Sequence, residues 1–162
     1  MSGHGQSSPM PDPTRSLRIA KVEGISADIK PTVDSSRFGL DRLLDGKLPK
    51  DGMRSTWTVW YQKDPSITFD LGEAKRIGAI RIYFQAWSRE DELRSVGVEV
   101  SLDGNHFQPF NEYGEILTVR EKGTWAELDL LAVKARYFRL SPHFQGWGHQ
   151  WGEVEFWELT NK

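Results

Sequence analysis

Between positions 141 and 159 the chain reads SPHFQGWGHQWGEVEFWEL, and its first half carries the residue types that a sugar site uses. Phe144, Trp147 and Trp151 stand among glycines and glutamines, with His143, Gln145 and His149 interspersed. A sugar presents an apolar C–H face and a rim of hydroxyls. Its site therefore needs a flat ring for the face and fixed donors and acceptors for the rim. Rings exposed on a loop have no core to fill and read as a binding surface. Trp151, next to the strand that follows, can equally pack beneath that strand. A second constellation, QAWSREDELR at positions 85–94, places Trp87 and Arg89 near its start and Arg94 at its end. Arginine forks offer fixed donors to vicinal hydroxyls or to a carboxylate. The alternative is solvated charge, with Glu90, Asp91 and Glu92 pairing with the two arginines at little energetic gain. A third stretch, WTVWYQK at 57–63, offers Tyr61 or Trp57 as a further ring, while Trp60 is expected in the core.

Other chemistries leave less trace. His143 and His149 are six apart, and even with Glu153 as a third ligand they match no metalloprotease spacing. No Gly-x-Ser-x-Gly, phosphate loop or dinucleotide fingerprint is present. The chain is read as non-catalytic. There are no cysteines, which excludes disulfides and thiolate metal sites. A formal net charge of −2 with both signs interspersed gives no electrostatic footprint for nucleic acid. No apolar run reaches membrane-spanning length.

The elements that must position these residues are strands. At 162 residues the chain suits one domain with a proper core, and its seven tryptophans are more than such a core needs. Positions 1–16 hold three prolines and no apolar periodicity, and read as a leader, linker or appended segment; the folded domain is expected over 17–162. Leu17, Ile19 and Val22 suit a first strand. Positions 24–36 read as loop, and Phe38, Leu40, Leu43 and Leu44 as a short helical turn ended by Asp45-Gly46. Ile67, Phe69 and Leu71 alternate up to a turn at Gly72, then Ile80, Ile82 and Phe84 alternate again. Val96, Val98 and Val100 lead to an Asp103-Gly104 turn. Positions 106–110, 116–119, 125–130, 136–140 and 153–159 complete the set. About eight short antiparallel strands predict an all-β fold, a jelly-roll β-sandwich.

Several of these stretches, in order, resemble the coagulation factor 5/8 type C or discoidin domains. Leu43-Leu44-Asp45-Gly46 looks like that family's Leu-x-Asp-Gly turn, and Thr58-Val59-Trp60 like its Thr-x-Trp. SITFDLG (66–72), VEVSLDG (98–104), ARYFRL (135–140) and GEVEFW (152–157) are similar to its strands. The resemblance implies the galactose-binding-domain-like fold, close to the family 32 carbohydrate-binding modules. It implies a ligand site built from loops at one end of the sandwich, with Trp147, Trp151 and Phe144 stacking and His143, His149, Trp87, Arg89, Arg94 and Tyr61 beside them. In fucose-binding relatives an arginine pair grips the sugar, which Arg89 and Arg94 resemble with altered spacing. The family also implies a structural calcium held by the Asp45 and Glu153 carboxylates and the carbonyls of Arg42 and Gly152, with Ser55, Thr56 or Thr58. Lys47 stands where relatives carry Asp or Asn. Without the ion, Glu153 is expected to meet Arg42 or backbone amides. The implied function is glycan or polysaccharide binding in an extracellular or cell-surface protein, the module being appended to a catalytic domain. A protein-interaction or scaffold role is the alternative, and insertion into membrane is not expected.

Overall fold

Alternating apolar residues make most of the chain extended. A computed structural model describes residues 16–32, 39–50, 56–86, 92–116, 122–146 and 148–160, with His149 described by its backbone alone. The strands are β1 (Leu17–Ile19), β2 (Gly24–Ala27), β3 (Thr58–Tyr61), β4 (Ile67–Gln85), β5 (Glu92–Ser101), β6 (Gln108–Gly114), β7 (Thr124–Gln145) and β8 (Gly148–Leu159). A 3-10 turn, Leu40–Leu44, stands at the expected helical spacing, with Leu43 its buried residue and Phe38 outside the described residues.

The strands join in the order β1-β8-β4-β7-β5-β6, with β2 added to β4 and β3 added to β8. All pairings are antiparallel. Two strands are long enough to belong to both layers. The first part of β4 pairs with β2 and with the C-terminal part of β7, while its second part pairs with β8 and the N-terminal part of β7. Between these parts the register shifts twice, from Asp70 to Lys75, where Gly72 has φ 84°, and from Ile77 to Ala79, where Leu131 on the facing strand has φ 62°. The expected turn at Gly72 is thus a bend inside one strand. Likewise the segments read separately at 125–130 and 136–140 are one strand, β7.

The bend brings two apolar faces together. Phe69 and Phe138 from one layer meet Phe156 from the other, with ring centroids 5.0 and 5.4 Å apart. Ile80, Ile82, Phe84, Val96, Val98, Leu128 and Leu140 complete that core, all buried. Trp60 lies in it too, as expected, and its indole N–H donates to the Ile29 carbonyl at 2.8 Å. At the sandwich's far edge β1 closes on the end of β8, pairing Leu17 with Leu159 and Ile19 with Trp157.

β2 was not read from the sequence, because its Gly-Ile-Ser-Ala run is short and sits in a stretch punctuated by Pro31 and serines. Positions 117–119 of the expected 116–119 strand lie outside the described residues, as do positions 1–15; Ile116 is buried without being in a strand.

Candidate functional site

Antiparallel pairing decides which loops share an end. β3 ends at Tyr61 opposite Gly148, β4 ends at Gln85 opposite Gln150, and β5 begins at Glu92 opposite Gln145. The β3–β4 connection and the β7–β8 turn therefore lie together. Between them is a cleft of about 280 Å³, lined by Gln62, Lys63, Asp64, Phe144, Gly146 and Gly148. Phe144 is half-buried, rooted against the core, and its N–H donates to Asp64 Oδ1 at 3.3 Å. That bond ties the β3–β4 connection to β7. Tyr61 is half-buried on the rim, with its N–H on Thr32 Oγ1 at 3.1 Å.

His143 is exposed beside this cleft. Its Nδ1 lies 3.9 Å from Asp64 Oδ2 and its Nε2 lies 3.5 Å from Glu112 Oε2. Arg94, also exposed, reaches across to Gln145 Oε1 through Nη2. The structure thus brings Phe144, His143, Arg94 and Tyr61 to one end. It adds Gln62, Lys63, Asp64 and Glu112, which the sequence reading passed over. Polar residues in a connection carry no periodic signal, whereas the aromatics of that stretch stand out by type. Trp147, Trp87, Arg89 and the side chain of His149 lie outside the described residues.

Trp151 is a correction. It is 0% exposed, belongs to the core, and cannot stack on a ligand. The reason is a β-bulge: Phe84 pairs with Trp151, but Tyr83 pairs with Glu153, so Gly152 is the extra residue. Strict alternation would place positions 151, 153, 155 and 157 on one face. The bulge turns Trp151 inward while Glu153 stays on the other face, and Val154 and Phe156 face the core. Gly152 also lets the segment before β3 cross closely, since a Cβ there would sit 2.4 Å from Pro49 Cγ. Trp57 pins that segment: it is buried, its indole N–H donates to the Lys50 carbonyl at 2.8 Å, and its ring stacks on Tyr83 at 5.6 Å.

Of the residues implied for calcium, the Asp45 and Glu153 carboxylates lie near one another. Glu153 is 5% exposed. Its Oε2 accepts from the Gly46 N–H at 3.0 Å, an amide partner of the kind expected for it. Oε1 is buried and has no partner among the described residues. Burial pushes the Glu153 carboxyl up to about 8; the Gly46 N–H acts against this, and the nearby Asp45 and Glu155 carboxylates add to it. Asp45 Oδ1 accepts from the Lys47 N–H at 2.9 Å. Arg42 does not meet Glu153 through Nη1, which donates to the Thr56 carbonyl at 2.7 Å. Thr58 Oγ1 faces the Gly39 carbonyl at 3.4 Å, and Ser55 is outside the described residues. Among the described residues no three His, Cys, Asp or Glu side chains cluster as metal ligands. An ion held by Asp45 and Glu153 would complete its shell with carbonyl oxygens, which suits a hard cation such as calcium.

Among the described residues no helix is long and apolar enough to cross a membrane. No curated protein matches the chain. Solved structures do. A pectin-binding carbohydrate-binding module is 17% identical with a TM-score of 0.60, covering 85% of this chain and 91% of that one. A family 32 module from Clostridium perfringens, solved with GalNAc-β-1,3-galactose, is 19% identical with a TM-score of 0.62, covering 84% and 94%. The family 32 module of AlyQ, solved with 4,5-unsaturated mannuronic acid, is 16% identical with a TM-score of 0.60, covering 86% and 97%. At these identities the likeness establishes the β-sandwich. The family itself follows from the sequence match, which runs over residues 28–159, nearly all of the folded chain: this protein belongs to the F5/8 type C domain family.

Proposed function

We propose that this domain is a non-catalytic carbohydrate-binding module whose glycan enters the cleft at the loop end. The observation that carries the reading is the cleft itself. There the rooted ring of Phe144 stands with the amide of Gln62, the ammonium of Lys63 and the carboxylate of Asp64, the imidazole of His143 lies beside Asp64, and Tyr61 precedes Gln62 at the end of β3. Rings for an apolar face with donors and acceptors at their margin are what a pyranose requires. The structural neighbours solved with sugars support the same reading. An open, loop-built cleft gives weak monovalent binding, with Kd of roughly micromolar to millimolar. Multivalency with sister domains raises it. Such a module acts by holding a larger exported protein on its glycan, as the neighbour in which a family 32 module accompanies alginate lyase domains suggests.

The test is a glycan array followed by calorimetry on the hits. Binding that is lost in Trp147→Ala and weakened in Phe144→Ala, together with no binding to acidic liposomes, supports the proposal. Failure to bind any glycan, with a protein partner recovered instead, overturns it.

A structural calcium on Asp45 and Glu153 is part of the same proposal. The buried Glu153 oxygen without a partner and the second carboxylate beside it support it. The ion would neutralise the two carboxylates and tie the 3-10 turn to β8, far from any role in ligand chemistry. A melting temperature unchanged by chelation counts against a tightly held ion.

A further inference from the structure

We infer that the glycan site does not end at the loop cleft but continues down the outer face of the β5–β6–β7 layer, so that the domain takes an uncharged sugar chain along its length. This rests on the proposed glycan-binding function and extends it to ligand class and binding mode.

Strand register sets the floor of this face. Gly97 pairs with both Ser141 of β7 and Glu112 of β6, and Ser141 Oγ lies 2.9 Å from Ser66 Oγ. A row of small residues, Ser66, Ser141 and Gly97, therefore crosses the strands on the solvent side. The rows on either side carry long side chains. On one side Ser95 pairs with His143; on the other Glu99 pairs with Arg139, whose guanidinium reaches its carboxylate at 3.3 Å. Small residues between large ones make a channel. Here it is a groove of about 400 Å³ whose lining includes Gly97, Ser141, Glu99, Phe110, Asn111 and Glu112. A Cβ on Gly97 would lie 2.8 Å from Glu112 Oε1, so any side chain there encroaches on the groove.

The lining has sugar-site chemistry. Phe110 stands on edge strand β6 with 39% of its surface exposed, a ring with no core to fill. Around it are a hydroxyl, an amide and two carboxylates already held in place: Ser95 Oγ donates to Glu112 Oε2 at 2.6 Å, and Arg139 holds Glu99. Preset donors and acceptors beside an exposed ring are what a hydroxyl-rich ligand selects.

The groove and the loop cleft are neighbours. Phe144 lines the cleft and Ser141 the groove, three residues apart on β7, or roughly 10 Å. His143 stands between them as a rib, reaching toward Asp64 on the cleft side and Glu112 on the groove side. A chain leaving the cleft passes over one exposed imidazole and enters the groove. Charge then chooses the chain. Lys63 and Arg94 offset Asp64 at the cleft end, but along the groove Glu99 and Glu112 face one cation, Arg139, which Glu99 already pairs, so the groove repels a polyuronate and accepts a neutral glycan.

The experiment is calorimetry with oligosaccharide ladders of one to six units, from β-1,4-galactan, xylan, mannan and cellulose, beside oligogalacturonates of the same lengths. The expected result is affinity rising at least tenfold from disaccharide to hexasaccharide in one neutral ladder. Phe110→Ala lowers hexasaccharide affinity five- to tenfold and leaves the disaccharide within twofold, with an unchanged melting temperature. Gly97→Thr, which fills the groove from the strand beneath, does the same. Length-independent binding, or a Phe110→Ala protein that binds hexasaccharide like the unaltered one, overturns the extension while the cleft reading stands. An oligogalacturonate ladder that gains most with length overturns the choice of neutral chain. No binding to any ladder or to any glycan on the array removes the cleft reading, and the extension with it.

Discussion

Replacing Glu153 with glutamine is the perturbation from which the structure says most. The side chain is 5% exposed, with one oxygen on the Gly46 N–H and the other without a partner among the described residues. Its carboxyl rises from 4.5 to about 8, chiefly through burial. Between those values the folded domain keeps a proton that the unfolded chain has released, so stability falls as pH rises through the window. At about 1.4 kcal/mol per pH unit the ceiling is about 5 kcal/mol. Water entry and movement of Asp45 relieve the charge and reduce this to roughly 1–3 kcal/mol, since effective dielectric at such sites is well above that of dry protein. For a domain of this size that is roughly 2–12 °C in melting temperature. Melting followed by circular dichroism in chelator, from pH 5 to 8.5, should show the unaltered protein falling by that amount relative to Glu153→Gln. Millimolar calcium should remove the difference by holding the ionised carboxylate, and its stabilising effect should grow with pH. Parallel curves for the two proteins in chelator would refute the burial argument.

Other expectations follow from packing and pairing. Trp151→Ala empties a fully buried core position and should cost about 3–5 kcal/mol, read as a large drop in melting temperature. Trp147→Ala, by contrast, is expected to alter binding. Gly152→Ala puts a Cβ 2.4 Å from Pro49 Cγ, so the crossing segment must shift, at about 1–3 kcal/mol in denaturant titration. Asp70 meets the Arg136 fork at 2.8 and 3.1 Å, and that guanidinium holds its carboxyl below the usual carboxylate range. The contribution exists above the unfolded value near 3.8 and disappears as pH falls through the lower folded one. Asp70→Asn should therefore lower melting by a few degrees at pH 7, with the loss shrinking as pH falls below about 3.8.

Most of the architecture was legible because a half-buried strand writes its period into the chain. Val96, Val98 and Val100, or Ile80, Ile82 and Phe84, announce themselves as strands, and the family motifs place them in order. What failed to show were departures from that period. A bend and a turn look alike at Gly72, because glycine serves both and only long-range pairing of β4 with β7 separates them. The Gly152 bulge inverted the facing of Trp151, and no local signal in Trp-Gly-Glu marks an extra residue in a ladder. The site was half legible. Aromatic residues stand out in composition, so Phe144 and Tyr61 were found. Asp64 and Glu112 matter through distance to His143, and they are 48 residues apart in sequence, from position 64 to 112.

The pairing of β1 with the end of β8 has a consequence for how this domain is carried. The Thr160 N–H donates to the Ser16 carbonyl at 3.0 Å, so the polypeptide enters and leaves the fold at one point. β8 runs twelve residues from there to Gly148 beside the cleft, or about 40 Å. Whatever is joined at either residue meets the same spot on the surface, and meets it at the pole away from the cleft. The domain can therefore be spliced into a host polypeptide as a stalked hook, without stretching the host apart and without the host shading the mouth of the cleft.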